Sequence, residues 1–170
     1  ADGHHRCSTS ARLFKKAAKT HPNMDFSELL CAFFSFDQLI IHDYNRVIDI
    51  LDEIRPTALM ARLAGLFNIT PMEGPFRPTQ KRELSLFLDD EWYRLEWKKK
   101  VLKKYKDRVV LDSTLVNDLI LRDILGIMDV SSDKRITYVE GTKKTDGIEK
   151  ACAKKPGRFG LGLYPVSKEE

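Results

Sequence analysis

Apolar positions in the first quarter of the chain predict one helix followed by two strands. Between residues 8 and 20, apolar side chains recur every three or four positions with basic residues between them, the pattern of an amphipathic helix. Residues 29–36 form an apolar, aromatic-rich run of strand length, and residues 39–42 follow after the short turn Asp37-Gln38. We therefore expect a helix at 8–20 and a hairpin made of strands 29–36 and 39–42.

The remaining pattern predicts further strands and helices in irregular alternation. Two strand-like runs, 83–88 and 91–97, flank the polar pair Asp89-Asp90 and predict a tight hairpin. Residues 70–79 contain three prolines and a glycine and are expected to form a loop. The other expected helices are 58–67, 113–127 and 142–153, and the other expected strands are 136–139 and 159–166. This order indicates an α+β fold, a single domain over 1–170, with helices packed on a mixed, largely antiparallel sheet.

Composition places the chain among globular proteins. Its 170 residues are 42% hydrophobic and 32% charged, with a net charge of +4 that does not by itself argue for nucleic acid. No apolar run approaches the roughly 20 residues needed to cross a bilayer, and no signal-peptide pattern is visible. The three cysteines are widely spaced, which favours free thiols in a reducing compartment. We expect a cytoplasmic protein without a membrane span.

The first six residues, Ala-Asp-Gly-His-His-Arg, are the sharpest candidate for chemistry. Gly3 allows a tight turn, the following helix offers unpaired N–H groups, and Arg6 can hold phosphate through two parallel hydrogen bonds. His4 and His5 can donate hydrogen bonds or move protons near neutral pH. The hydroxyls of Ser8 and Thr9 are expected at the mouth of the helix. The alternative is a helix-capping turn with exposed histidines.

A second candidate is the polar segment at residues 42–46, which follows a predicted strand. Asn45 and Arg46 can orient a ligand, and Asp43 can accept a proton or hold magnesium. The alternative is a polar turn that caps neighbouring backbone. The lysine-rich stretch at 98–106 lies near aromatic residues, a combination found in nucleic-acid sites, but a solvated face explains it as well.

Several segments together resemble one family. ADGHHR at the start of the chain resembles the signature of the family catalogued as domain of unknown function 1015. FFSFDQLIIHDYNRV at 33–47, LDSTLVNDLILRDILGI at 111–127, DVSSDKRITYVEG at 129–141 and FGLGLYPVS at 159–167 are similar to further segments of that family, in the same order. Family members are longer, so the resemblance implies that this chain is an internal fragment, incomplete at both ends. Its upstream and downstream segments would then be its partners.

The DGHHR element also resembles the phosphate-binding element of the ParB/sulfiredoxin superfamily, which includes free serine kinases. That resemblance implies a phosphate or nucleotide site in which Gly3, His4, Arg6, Ser8 and Thr9 hold ATP or ADP with Mg. It further implies that His5 contacts the nucleotide phosphates beside His4 and Arg6. The kinase hypothesis then assigns catalysis to Asp2 and His5, magnesium or nucleophile orientation to Asp2 or Asp43, with Asp43 the preferred metal holder, and contacts with a small-molecule substrate such as free serine to Asn45 and Arg46. The kinases' own catalytic acid lies upstream of the motif.

Two functions follow as hypotheses. The first is a nucleotide-dependent kinase of a small metabolite. The second is a non-catalytic binding or assembly module that docks to protein or, less expectedly, to nucleic acid. Under the first, residues 3–6 lie at the start of the first helix, and Asn45 and Arg46 approach the same cleft as Arg6.

Overall fold

The fold is taken from a computed structural model that describes residues 3–21, 23–25, 27–105 and 110–167. The described residues form two compact units. The first ends at Ile40 and the second begins at Ile41.

The first unit is built around one long helix. Helix α1 spans His4–Thr20, so the predicted helix is confirmed but begins one turn earlier than its apolar pattern. Gly3 precedes it in the left-handed conformation, with φ +77°, which glycine adopts without steric cost. A short 3₁₀ turn at Phe36–Gln38 follows much later.

The predicted hairpin at 29–42 is wrong. Residues 29–35 and 39–42 have no regular secondary structure, and the described part of the first unit contains no strand. Their large apolar side chains are exposed, with Leu30 at 99% and Phe33 at 93%. An apolar run indicates a segment suited to burial, but a strand also needs a neighbouring backbone to pair with, and the sequence pattern does not supply that information.

The second unit contains a six-stranded antiparallel sheet with the order β2-β4-β3-β6-β1-β5. The α+β class is therefore confirmed. The strands are β1 Tyr44–Asp49, β2 Phe67–Met72, β3 Glu83–Leu88, β4 Glu91–Trp97, β5 Ile136–Glu140 and β6 Arg158–Leu163. The helices are α2 Pro56–Leu66, α3 Lys99–Leu102, α4 Asp112–Leu115, which continues as a π-helix over Val116–Arg122, and α5 Lys144–Ala153. Short 3₁₀ turns lie at Lys103–Tyr105 and Gly141–Lys143.

Most of the predicted elements of this unit are present. The β3–β4 hairpin turns at Asp89 and Asp90, which both have positive φ, as a two-residue hairpin turn of this hand requires. Strand β2 was missed, because its Pro71 falls in the stretch interpreted as loop. Proline is tolerated there since β2 is an edge strand.

Strand β1 separates two apolar layers. Ile48 belongs to the larger core, which includes Leu59 of α2 and Leu115 of α4. Its neighbour Val47 points to the opposite face and belongs to the smaller core, with Ile148 of α5. The alternation of side chains along β1 therefore decides which layer each of its residues enters.

The described helices include none with the length and apolar character that crossing a bilayer requires. Cys7, Cys31 and Cys152 are free thiols. Burial raises the pKa of the Cys152 thiol to about 12.

Close packing of α5 on β6 predicts the effect of a glycine substitution. A Cβ at Gly160 would overlap the Cγ2 methyl of Ile148. We expect Gly160→Ala to lower the free energy of unfolding by about 1–3 kcal/mol, because the core is overpacked. Gly65→Ala is the control: Gly65 lies in α2 with open space around it, so alanine should raise stability by about 0.5–1 kcal/mol. Equal effects of the two substitutions in urea unfolding would contradict the packing argument.

Candidate functional site

A cavity of about 250 Å³ lies at one end of the central strands β1 and β6 in the second unit. It forms where β1 begins, where β6 ends, and just before β3 and α4. Its volume is below the roughly 300–1,000 Å³ of pockets that enclose a whole drug-sized ligand, so it suits a small group with the rest of the ligand outside. The lining residues are His42, Asp43, Tyr44, Arg46, Lys81, Arg82, Val110, Leu111, Asp112, Ser113, Leu163, Tyr164, Pro165 and Val166.

Arg46 is the distinctive residue of this cavity. It is 6% exposed, and its Nε and Nη1 atoms are buried without a hydrogen-bond partner among the described residues. Burial lowers the pKa of its guanidinium, and the Tyr138 hydroxyl partly offsets that effect. An arginine nevertheless stays protonated in proteins. The cavity is therefore lined by a buried positive charge, and its Nε and Nη1 donors have no acceptor among the described residues.

The two acids of the cavity wall are neutralised by their own arginines. Asp43 forms an ion pair with Arg77. Asp112 accepts from the Arg82 Nη1 at 3.1 Å and from the Arg82 backbone N–H at 2.9 Å. Since neither acid is hydrogen-bonded to Arg46, the charge of Arg46 makes the cavity favour an anion.

Asn45, the neighbour of Arg46, lies on the other face of β1. Its Oδ1 accepts from the backbone N–H of Leu163 at 2.9 Å, and its Nδ2 donates to Asp43 Oδ2 at 2.7 Å. The amide is thus used on both sides to fasten β1 to β6 and to hold Asp43. Sequence reasoning treated Asn45 and Arg46 as one ligand-binding pair, and the pleat of the strand separates them.

Asp43 is buried and its carboxylate is already bound. Arg77 contacts Oδ1 and Asn45 contacts Oδ2, while the Asp43 backbone carbonyl accepts from the Gly141 N–H at 2.8 Å. Within the described residues no group of three or more His, Cys, Asp or Glu side chains is arranged to hold a metal ion. This arrangement makes Asp43 part of an internal ion pair.

The N-terminal candidate residues lie as predicted on α1, with one correction. Gly3 is the N-cap and His4, His5 and Arg6 form the first helical residues, so this part of the expectation is confirmed. Because the helix starts at His4, Ser8 and Thr9 lie in its second turn and not at its mouth. His5 and Arg6 are exposed. Asp2 lies outside the described residues, and the shared cleft of Arg6 with Asn45 and Arg46 stays a prediction.

Sequence reasoning missed most of the cavity wall. Lys81 and Arg82 come from a segment that carried no motif of its own, and Ser113 lies in the family-like segment 111–127 but was given no role in a site. Tyr44 and Tyr138 were also missed, although they stack with ring centroids 5.0 Å apart and Arg46 lies 5.9 Å from the Tyr138 ring. Tyr44 lies in the candidate segment 42–46 and Tyr138 in the family-like segment 129–141, and the cationic pair Lys81-Arg82 directly precedes the predicted strand at 83–88.

Together these features define an α+β protein with a cavity that favours an anion at the ends of the central strands of an antiparallel sheet. The family model described as Protein of unknown function (DUF1015) matches residues 1–120, and the chain belongs to that family. Comparisons with curated proteins and with solved structures found no match.

The unpartnered charge of Arg46 predicts an increase in stability when it is removed. Replacing a buried ion pair by apolar side chains of similar volume is often neutral or stabilises a protein by about 1–4 kcal/mol, and replacing a buried charge with unpaired donors should act in the same direction. We expect Arg46→Met to raise the free energy of unfolding within that range, measured by urea denaturation without added anions.

Arg94→Met is the matched control. Arg94 Nε lies 3.0 Å from Glu83 Oε1, an ion pair whose angle falls outside hydrogen-bond geometry. Glu83 is buried, so loss of Arg94 should destabilise the fold by about 1–3 kcal/mol. A destabilised Arg46→Met variant would show that Arg46 has a structural partner.

Proposed function

We propose that this domain binds a phosphate-bearing small molecule or nucleotide, with the phosphate in the cavity lined by Arg46. The observation that carries the proposal is the buried Arg46 guanidinium, whose Nε and Nη1 have no partner among the described residues. A buried donor without an acceptor costs about 1–3 kcal/mol, so its presence is understandable if a ligand supplies the acceptor.

Phosphate matches the arrangement in shape and in charge. The fork of arginine N–H groups fits phosphate oxygens two at a time, and such charged hydrogen bonds are about twice as strong as neutral ones. Lys81 and Ser113 belong to the same wall. The small volume suits a phosphoryl group with the first few atoms attached to it.

The finer proposal is a nucleotide-dependent kinase of a small metabolite such as free serine. Phosphoryl transfer depends mainly on positioning and on charge neutralisation. A left-handed Gly3 before a 17-residue helix, with Arg6 in its first turn, fits the phosphate cradle implied by the ADGHHR motif. In this proposal His4, Ser8 and Thr9 assist ATP or ADP binding, and Asp2 and His5 act in catalysis. Both oxygens of Asp43 are occupied by Arg77 and Asn45, so Asp43 does not fit magnesium and no step is assigned to the metal.

The alternative is a binding or assembly module without catalysis. The exposed apolar side chains of residues 29–40 favour it, because contiguous exposed apolar surface marks interaction sites. Nucleic acid is the weaker form of this alternative. Trp92 and Trp97, which lie close in sequence to the basic stretch, are buried and cannot stack on bases. Binding that weakens steeply with salt would favour nucleic acid over a nucleotide.

Phosphate binding is tested first on the Arg46 cavity. We expect inorganic phosphate to bind the chain in calorimetry at fixed ionic strength, and to raise Tm by about 5–10 °C at 100 times its Kd. Arg46→Met should weaken this binding by about 1.5–3 kcal/mol, the usual range for a hydrogen bond to a charged group.

Arg122→Met provides the control for this experiment. Arg122 is exposed and pairs with Asp118 and Asp123 on the π-helix, away from the cavity wall. It should leave phosphate affinity unchanged. Phosphate affinity that is the same in Arg46→Met and in the unaltered chain rules out this cavity as the site.

The kinase proposal is tested with nucleotide and free serine. We expect ATP or ADP with Mg to bind the chain, and serine to be phosphorylated when it is added. Arg6→Ala should weaken nucleotide binding by about 1.5–3 kcal/mol with little change in folding stability, because Arg6 is exposed. Arg12→Ala is the control, since Arg12 is exposed further along the same helix. Unchanged nucleotide affinity in Arg6→Ala leaves the N-terminal segment as a capping turn.

A further inference from the structure

Two tyrosines stand beside the Arg46 cavity on the same face of the sheet. Tyr44 is on β1 two residues before Arg46, and Tyr138 is on β5 directly opposite Arg46. In an antiparallel pair such diagonal neighbours are within reach of each other's side chains. Here the rings are nearly parallel, with 20° between their planes and 5.0 Å between their centroids.

The pair is accessible, unlike most aromatic residues of this unit. Tyr44 is 57% exposed and Tyr138 is 37% exposed, whereas Trp92, Trp97 and Phe159 are buried. The position of the Tyr138 ring is stabilised by a hydrogen bond, since its hydroxyl donates to the backbone carbonyl of Val130 at 3.2 Å. Tyr44 thus presents an aromatic surface that is already stacked and held in place.

The aromatic surface and the cationic cavity are continuous. Tyr44 itself lines the cavity, and the Arg46 guanidinium lies 5.9 Å from the Tyr138 ring, within cation–π range. A ligand with a phosphate inside the cavity therefore has Tyr44 beside the part that remains outside. The cavity volume of about 250 Å³ also leaves the larger part of a nucleotide outside.

We propose that Tyr44 is the base-stacking residue of this site and that the ligand is a mononucleotide, with its phosphate on Arg46 and its base on the Tyr44 ring. This inference rests on the proposed phosphate binding at Arg46, is independent of the nucleotide site that the kinase proposal assigns to residues 3–9, and adds the chemical class of the ligand. Stacking on an aromatic side chain is tolerant of base identity, because every base has a π face. The site therefore selects for a phosphate attached to a planar ring.

AMP and ribose 5-phosphate separate the two parts of the ligand, because they differ only in the base. We expect AMP to bind the chain about tenfold more tightly than ribose 5-phosphate in calorimetry at fixed salt. Tyr44→Leu should weaken AMP binding about tenfold, within the range found when a stacked base loses its aromatic partner, and leave ribose 5-phosphate within twofold. Tyr44→Phe keeps the ring and should retain AMP affinity.

A spectroscopic readout identifies stacking directly. The adenine proton resonances of AMP should shift upfield when the unaltered chain or Tyr44→Phe is added, and should not do so with Tyr44→Leu. If AMP and ribose 5-phosphate bind equally and Tyr44→Leu changes neither, the stacking inference is overturned while phosphate binding stands. If neither ligand binds, the proposed function fails and the inference fails with it.

Discussion

Strand β1 is the constraint on which the second unit depends, because it pairs with β5 on one side and with β6 on the other. Its pairing with β6 is reinforced by a side chain: the Asn45 amide accepts from the Leu163 backbone N–H and donates to the buried Asp43. Asp43 in turn pairs with Arg77 and packs against Gly141, where a Cβ would clash with it. A buried network in which each polar group has a partner fixes register and rigidity. Those contacts hold the first residues of β1 in one position.

On the other face of β1, polar atoms lack hydrogen-bond partners among the described residues. Arg46 follows Asn45 directly, yet two of its guanidinium nitrogens are buried without partners among the described residues. A site that keeps such a group must be stabilised elsewhere, and the Asp43–Asn45–Arg77 network lies one residue away. The fold thereby combines a satisfied face that stabilises the strand with an unsatisfied face that is available to a ligand.

Local sequence patterns were sufficient to predict the elements that such a pattern defines without reference to the rest of the chain. Helix α1 and the β3–β4 hairpin are examples, since an amphipathic period and a two-residue polar turn are both local. The expected strands at 29–36 and 39–42 failed because apolar character does not specify a pairing partner. Arg46 was predicted to be a ligand contact from its residue type, and this stays a prediction; its burial and its separation from Asn45 are visible only in the folded strand. Tyr44 of the wall and Tyr138 beside it are brought together by the pairing of β1 with β5, which no local pattern encodes.

The acids of the cavity wall are paired with arginines other than Arg46. Asp43 and Asp112 both lie in the wall that Arg46 also lines. Each is instead bound by another arginine, Arg77 for Asp43 and Arg82 for Asp112, and Arg82 adds its backbone N–H to the second pair. Under the proposed phosphate binding, an anion at Arg46 breaks neither of these ion pairs. A site that needs little rearrangement loses less of the ligand's interaction energy to reorganisation, which would favour binding in a cavity of this size.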